Sequence, residues 1–177
     1  MLVDADMLAR QVVQPGGPAY EQLVGRFGRE VLDTDGRVDR ERLAGIVFAD
    51  ERARADLEAI THPPIGAAMM RARDEHLGTP DVVVFDVPLL AALHREALSL
   101  DVVVVVDCPP DVVIDRLTRI RGMQRVDAEA RIAAQVTREE RLVIADVVVD
   151  NSGSLEELAS RVDEIWADFA TRASTIA

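Results

Sequence analysis

Four short apolar runs in this 177-residue chain each close on an aspartate: Leu2-Val3-Asp4, Val82 to Asp86, Val102 to Asp107, and Val147 to Asp150. In an open parallel sheet, ligands bind beyond the carboxyl ends of the strands. Asp4 with Asp6, then Asp86, Asp107, and Asp150 with Asn151 would line such an edge as an acidic rim. Carboxylates there suit Mg²⁺ and the orientation of a hydroxyl nucleophile in phosphoryl transfer. A lone aspartate at a strand end also serves as a helix cap or turn former. For Asp107 that plainer role is the expected one; for Asp86 both stand open.

The positive counterpart lies between residues 116 and 141. Arg116, Arg119, Arg121, Arg125, Arg131, Arg138 and Arg141 face only Asp127, Glu129, Glu139 and Glu140 there, in a chain of formal net charge −12. Singly, each arginine fits a solvated helix face paired one turn away. Together they fit an arginine-rich lid that closes over phosphates and stabilises a transferring phosphoryl group. All 20 basic residues are arginine, and no G-x-x-x-x-G-K-[ST] turn is present. Missing lysine beside plentiful Arg, Ala and Val reads as genomic compositional bias, but these residues then supply no phosphate-binding lysine. His62, before Pro63, is either structural or a hydrogen-bonding group for a substrate. The sequence pattern signals no role for His76 or His94, and no His or Cys spacing suits a zinc site.

The elements that must position these groups follow from periodicity. Ala5 to Gln14 has helical spacing, with Leu8, Val12 and Val13 as apolar contacts, and stops at Pro15-Gly16-Gly17. A second helix from Pro18 carries Tyr20, Leu23, Val24 and Phe27 on one face. Thr34-Asp35-Gly36 is a turn, and Asp39 caps a helix bearing Leu43, Ile46, Val47 and Phe48. Further helices are expected at 52–60 and 65–76, interrupted by His62-Pro63-Pro64. The valine runs at 82–86 and 102–106 read as strands buried on both faces. Pro109-Pro110-Asp111 opens a helix, and residues 116–141 form one or two more, broken at Gly122. After the last strand, Val147 to Asp150, Ser154 and Glu157 make a capping box for a terminal helix past Trp166 and Phe169. Strands alternating with helices, without hairpin turns, predict an α/β fold with a parallel sheet and helices on both faces.

Composition bounds the function. Hydrophobic residues make up 49% and aromatics only 3%, so Val, Leu, Ile and Ala must fill the core. The acidic balance argues against a nucleic-acid binder, which would show a basic face. One cysteine, Cys108, allows no internal disulfide, so a reducing, cytoplasmic setting is expected. No apolar stretch reaches ~18 residues and no signal sequence is indicated, so neither membrane insertion nor export is expected.

With these residues in place, the chain resembles the dephospho-CoA kinase family. Val3-Asp4-Ala5-Asp6 with Ala9-Arg10, the Pro15-to-Ala19 turn, Phe48-Ala49-Asp50, and His62-Pro63 with Ile65 resemble its motifs in order. So do Asp86-Val87-Pro88-Leu89-Leu90, Arg121-Gly122-Met123, Ala128 to Gln135, Ala145-Asp146, and Asp150-Asn151-Ser152-Gly153. The likeness spans nearly the whole chain, in a form similar to actinobacterial members. It implies a single P-loop kinase-like domain over 1–177, with a helical substrate-binding region at 15–80 and a lid at 116–141. The implied reaction moves the ATP γ-phosphate, with Mg²⁺, to the ribose 3′-hydroxyl of dephospho-CoA, the last step of coenzyme A synthesis. In that reading Asp6 is the general base; Asp4, Arg10, His62 and Asp86 belong to the substrate side. Arg116 and Arg121 cover the phosphates, and Asn151 borders adenine.

Two departures accompany the likeness. The family opens with a strand, a glycine-rich phosphate loop and a helix, and this sequence begins beyond them, so roughly 30 residues of the first unit are expected to be missing. That strand lies mid-sheet in the family, and its neighbours would lose partners. Secondly, Ala91-Ala92-Leu93-His94 stands where the family carries an acidic residue. The expected function is therefore dephospho-CoA kinase, inactive as this chain stands. The alternative is a truncated, non-catalytic homologue acting as a binding or partner-stabilised module. Another nucleotide kinase of the same architecture is disfavoured by Asp4 and Asp6 with Arg10.

Overall fold

The computed structural model describes residues 1–79, 81–88 and 92–176. They form two compact units: Met1–Leu77 with Val83–Pro88, and the described residues of Gly78–Val82 and Leu89–Ala177. Leu89, Leu90 and Ala91, which carry part of the Asp86 motif and its departure, lie outside the described residues, as does the His94 side chain.

The first unit begins with β1 (Leu2–Asp4) and α1 (Ala5–Val12). Gly16 ends that passage at φ +82°, and a Cβ on Gly17 would sit 2.5 Å from the Val12 carbonyl oxygen, so only glycine fits this tight reversal. Next come α2 (Tyr20–Phe27), a short 3₁₀ turn (Arg29–Val31), α3 (Arg40–Ala49) and α4 (Glu51–Asp74). Asp39 caps α3 by accepting from the Glu41 and Arg42 amides, and Asp50 caps α4 through the Arg52 amide. Leu23, Phe27, Val31, Leu32, Leu43 and Ala53 form the buried core, with Val24, Ile46, Leu57 and Ile60 packed around it. β2 (Val84–Asp86) returns parallel to β1, matching Leu2 with Val84, Val3 with Phe85, and Asp4 with Asp86.

One helix replaces the two expected around Pro63-Pro64. α4 runs unbroken through both prolines. Each removes an amide donor, a cost the local pattern treats as a stop. Packing overrides it, because α4 lies against α1, α2 and α3, and burial of its inward face outweighs two missing bonds. The Thr61 hydroxyl also donates to the Leu57 carbonyl, one turn back.

The second unit holds α5 (Ala92–Leu98), β3 (Val104–Asp107), α6 (Pro110–Arg119), α7 (Arg125–Ala133), α8 (Arg138–Val143), β4 (Val147–Asp150) and α9 (Leu155–Ile176). β3 and β4 are parallel, pairing Val104 with Val147 through to Asp107 with Asp150. Pro110 starts α6 at a position that needs no amide donor. Gly122, at φ +65°, breaks the arginine-rich stretch as expected. A second break precedes α8, where Thr137 and Glu140 form a capping box, so the stretch spans parts of three helices rather than one or two. Ser154 and Glu157 cap α9 reciprocally.

The strands correct the expected picture. They are shorter than the valine runs, since Val82, Val83, Val102 and Val103 stay outside the ladders. Burial on both faces gives way to alternation: Val105 is 7% exposed but Val106 is 59%, and Val84 is 42%. The physical reason is local. Among the described residues each named strand pairs with one other, in two two-stranded sheets rather than one wide sheet. In the second unit α9 packs on β4 and α8 on β3. The α/β class with parallel pairing and flanking helices stands.

Candidate active site

Strand register decides which carboxylates meet in the first unit. Residues opposite one another in a parallel pair point to the same face, so Asp4 and Asp86 stand side by side at the carboxyl end of β1 and β2. Asp4 also caps α1, its Oδ1 accepting from the Met7 amide at 3.0 Å. Asp6 sits in the first turn of α1 rather than on the strand, where a negative charge is favoured by the helix N-terminus. Arg10 follows four residues later, on the same face of the helix. Among the described residues, the side chains of Asp6, Arg10 and Asp86 have no hydrogen-bond or ion-pair partner. Asp6, Asp86 and Arg10 are exposed. His62 is exposed on α4, the helix that packs against α1.

The second unit has the same motif at its strand ends, differently occupied. Asp107 and Asp150 stand side by side. Asp107 is buried and takes a fork from Arg138, whose Nε lies 2.9 and 3.0 Å from the two carboxylate oxygens while Nη2 closes the second arm. That hydrogen bond, with the carboxylate's charge, holds the Arg138 guanidinium above its ordinary range. Ser152 donates to Asp150 and holds it below the usual carboxylate range. Arg116 clasps the turn after β4: Nη1 donates to the Asn151 carbonyl and, at 3.1 Å, to Oδ1, and Nη2 to the Gly153 carbonyl at 3.0 Å. Burial pushes the neighbouring Cys108 thiol up, against the pull of Arg116. Arg119 and Arg125 pair with Asp115 and Glu129 one turn away, and the Arg141 guanidinium donates to the Val136 carbonyl. Arg121 and Arg131 are exposed, without a side-chain partner among the described residues.

Residues 1–157 match the dephospho-CoA kinase family. The chain is 50% identical to a dephospho-CoA kinase of Streptomyces avermitilis over 98% of its own length and 83% of that protein's. The chain belongs to the dephospho-CoA kinase family. A second relative of that description, from Thermobifida fusca, is 46% identical over 97% of this chain and 85% of its own. The fold resembles a Thermus thermophilus crystal structure with a TM-score of 0.71 at 28% identity, covering 94% of this chain and 83% of that one. It also resembles the dephospho-CoA kinase of Campylobacter jejuni, with a TM-score of 0.62 at 25% identity, covering 93% and 84%.

The fold places Asp4 beside Asp86 at one end of a strand pair, Asp6 and Arg10 in the first and last turns of α1, and His62 on a helix packed beside α1. It joins Arg116 to Asn151 directly, with Arg116 engaged by the turn's carbonyls. Arg121 meets no side-chain partner among the described residues. No group of three or more His, Cys, Asp or Glu side chains among the described residues suits a metal ion. No described helix is long and apolar enough to cross a membrane. Sequence reasoning missed the Asp107–Arg138 fork. Its partners lie 31 residues apart, and no local spacing signals such a pair.

Proposed function

We propose that these residues form the acceptor side and the lid of a dephospho-CoA kinase, moving the ATP γ-phosphate to the ribose 3′-hydroxyl of dephospho-CoA. The observation that carries this reading is Asp6 and Arg10 on one face of α1, without side-chain partners among the described residues, on the helix that follows the Asp4–Asp86 strand end, in a chain of this family. An exposed carboxylate with no counterion is available to accept a proton from a substrate hydroxyl. Arg10, one turn on, suits an anionic group of the same substrate. Asp4, Asp86 and His62 complete the acceptor side. Arg121, without a side-chain partner among the described residues, offers its guanidinium to the phosphates; Arg116 acts by holding the turn that carries Asn151, the residue proposed to border adenine.

Were ATP to bind as its magnesium complex, Asp4 and Asp86 would supply the one or two carboxylates that Mg²⁺ commonly takes from a protein, and the ion would offset phosphate charge. The β/γ-phosphate cradle is not built from these 177 residues, which hold no lysine and no Walker-type turn. We therefore propose a single kinase-like domain completed by a strand, phosphate loop and helix, and negligible turnover by the 177 residues alone.

The test is a coupled assay of the chain extended N-terminally by such a unit. Asp6→Asn is expected to cut kcat by about 100-fold or more while leaving ATP affinity unchanged. Near-normal turnover removes Asp6 as the base. Robust turnover by the 177 residues alone overturns the requirement for the added unit. An extended chain that binds both nucleotides without turning them over favours the non-catalytic binding module.

A further inference from the structure

We propose that Arg138 is a positioning residue: its fork onto buried Asp107 seats the C-terminal foot of the arginine-rich segment on the carboxyl end of β3. The proposal deepens the lid reading above and rests on it only for the purpose the seating serves.

The segment has two feet, and an arginine fixes each. Arg116, in the last turn of α6, grips the carbonyls of Asn151 and Gly153 just after β4. Arg138, the first residue of α8, grips Asp107 at the end of β3. Arg119, Arg125 and Arg141 bond within their own stretch, and Arg121 and Arg131 remain. Among the described residues the seven arginines thus divide into two that hold, three that pair locally, and two that meet no side-chain partner.

Asp107 has the properties a locating point needs. It is 7% exposed and stands as the buried charged residue among those described. A buried carboxylate must keep its donors, and a planar guanidinium satisfies both oxygens only within a narrow range of approach. The angle of α8 against β3 is therefore set by one fork. The Thr137–Glu140 capping box fixes where α8 begins, so an anchor on its first residue governs the whole short helix. A surface pair at i,i+4 spacing orders only its own helix.

Hydrogen exchange by mass spectrometry on the 177-residue chain tests this. In Arg138→Ala, amides across 120–143 are expected to speed up at least ~10-fold more than amides of β4 and α9. Asp107→Asn should reproduce that pattern, and the double variant should be no faster than the larger single effect. Arg138→Lys should restore it only in part, because an ammonium cannot make the fork. An equal rise across 120–143, β4 and α9 would reduce Arg138 to a contributor to overall stability and overturn the proposal, as would no rise. If Arg138→Ala does not fold, Asp107→Asn and Arg138→Lys carry the same contrast. Selective exchange with an active Asp6→Asn enzyme would sink the kinase reading and leave the anchor standing; uniform exchange with an inactive Asp6→Asn enzyme would do the reverse.

Discussion

The carboxyl ends of the two strand pairs carry the same chemistry and hold it differently. Asp4 beside Asp86 and Asp107 beside Asp150 are each two carboxylates in register on parallel strands. In the second unit Arg138 forks onto Asp107, and Ser152 donates to Asp150. In the first unit Asp4 spends one oxygen on a helix cap, and Asp86 meets no donor among the described residues. Equal motifs therefore have unequal availability. A carboxylate already neutralised by a guanidinium serves the fold, whereas one left to water can receive a substrate's proton or its magnesium.

The contrast can be broken by removing the partners. Loss of Arg138 strips buried Asp107 of its donors, and a buried acceptor so stripped costs about 1–3 kcal/mol. Urea unfolding followed by Trp166 fluorescence on α9 reads that loss in the second unit. Acid gives a smaller, graded effect. Backbone donation from Val103, then Arg95, holds Asp146 below the ordinary carboxylate range, and Ser152 and Ser154 do the same for Asp150 and Glu157. A depressed folded pKa means the stabilisation is complete above the unfolded value, about 4, and is lost as pH falls through the lower folded value. The Trp166 signal is thus expected to hold from neutral pH down to about 4 and to give way below it; a transition centred near neutrality would contradict these hydrogen bonds. Smallest of all is Asp86→Asn, expected to change stability by no more than about 0.5 kcal/mol. A cost there matching that of Arg138 would erase the distinction between the two ends.

Several features were legible because they are local. Asp39 and the Ser154–Glu157 box cap helices through bonds spanning two or three residues, and Gly122 interrupts the chain by its own φ. The continuous α4 was not legible, because its support across Pro63-Pro64 comes from α1, α2 and α3. Nor could near-identical valine runs reveal that Val105 turns inward while Val106 faces out. Asp4, Asp6 and Arg10, proposed as part of the acceptor side, were readable as a cluster since they fall within seven consecutive positions. Bringing Asp86 beside Asp4 needed a parallel register across more than 80 residues.

From its residues alone this chain declared an alternating α/β order, aspartates at strand ends and an arginine-rich stretch, since hydrogen bonds and periodicities that set those features act over a few positions. Tertiary structure decided which aspartate is neutralised, which arginines bond at the ends of β3 and β4, and which meet no partner among the described residues. Charges find their partners by proximity in space, and the guanidinium that reaches Asp107 arrives from 31 residues away.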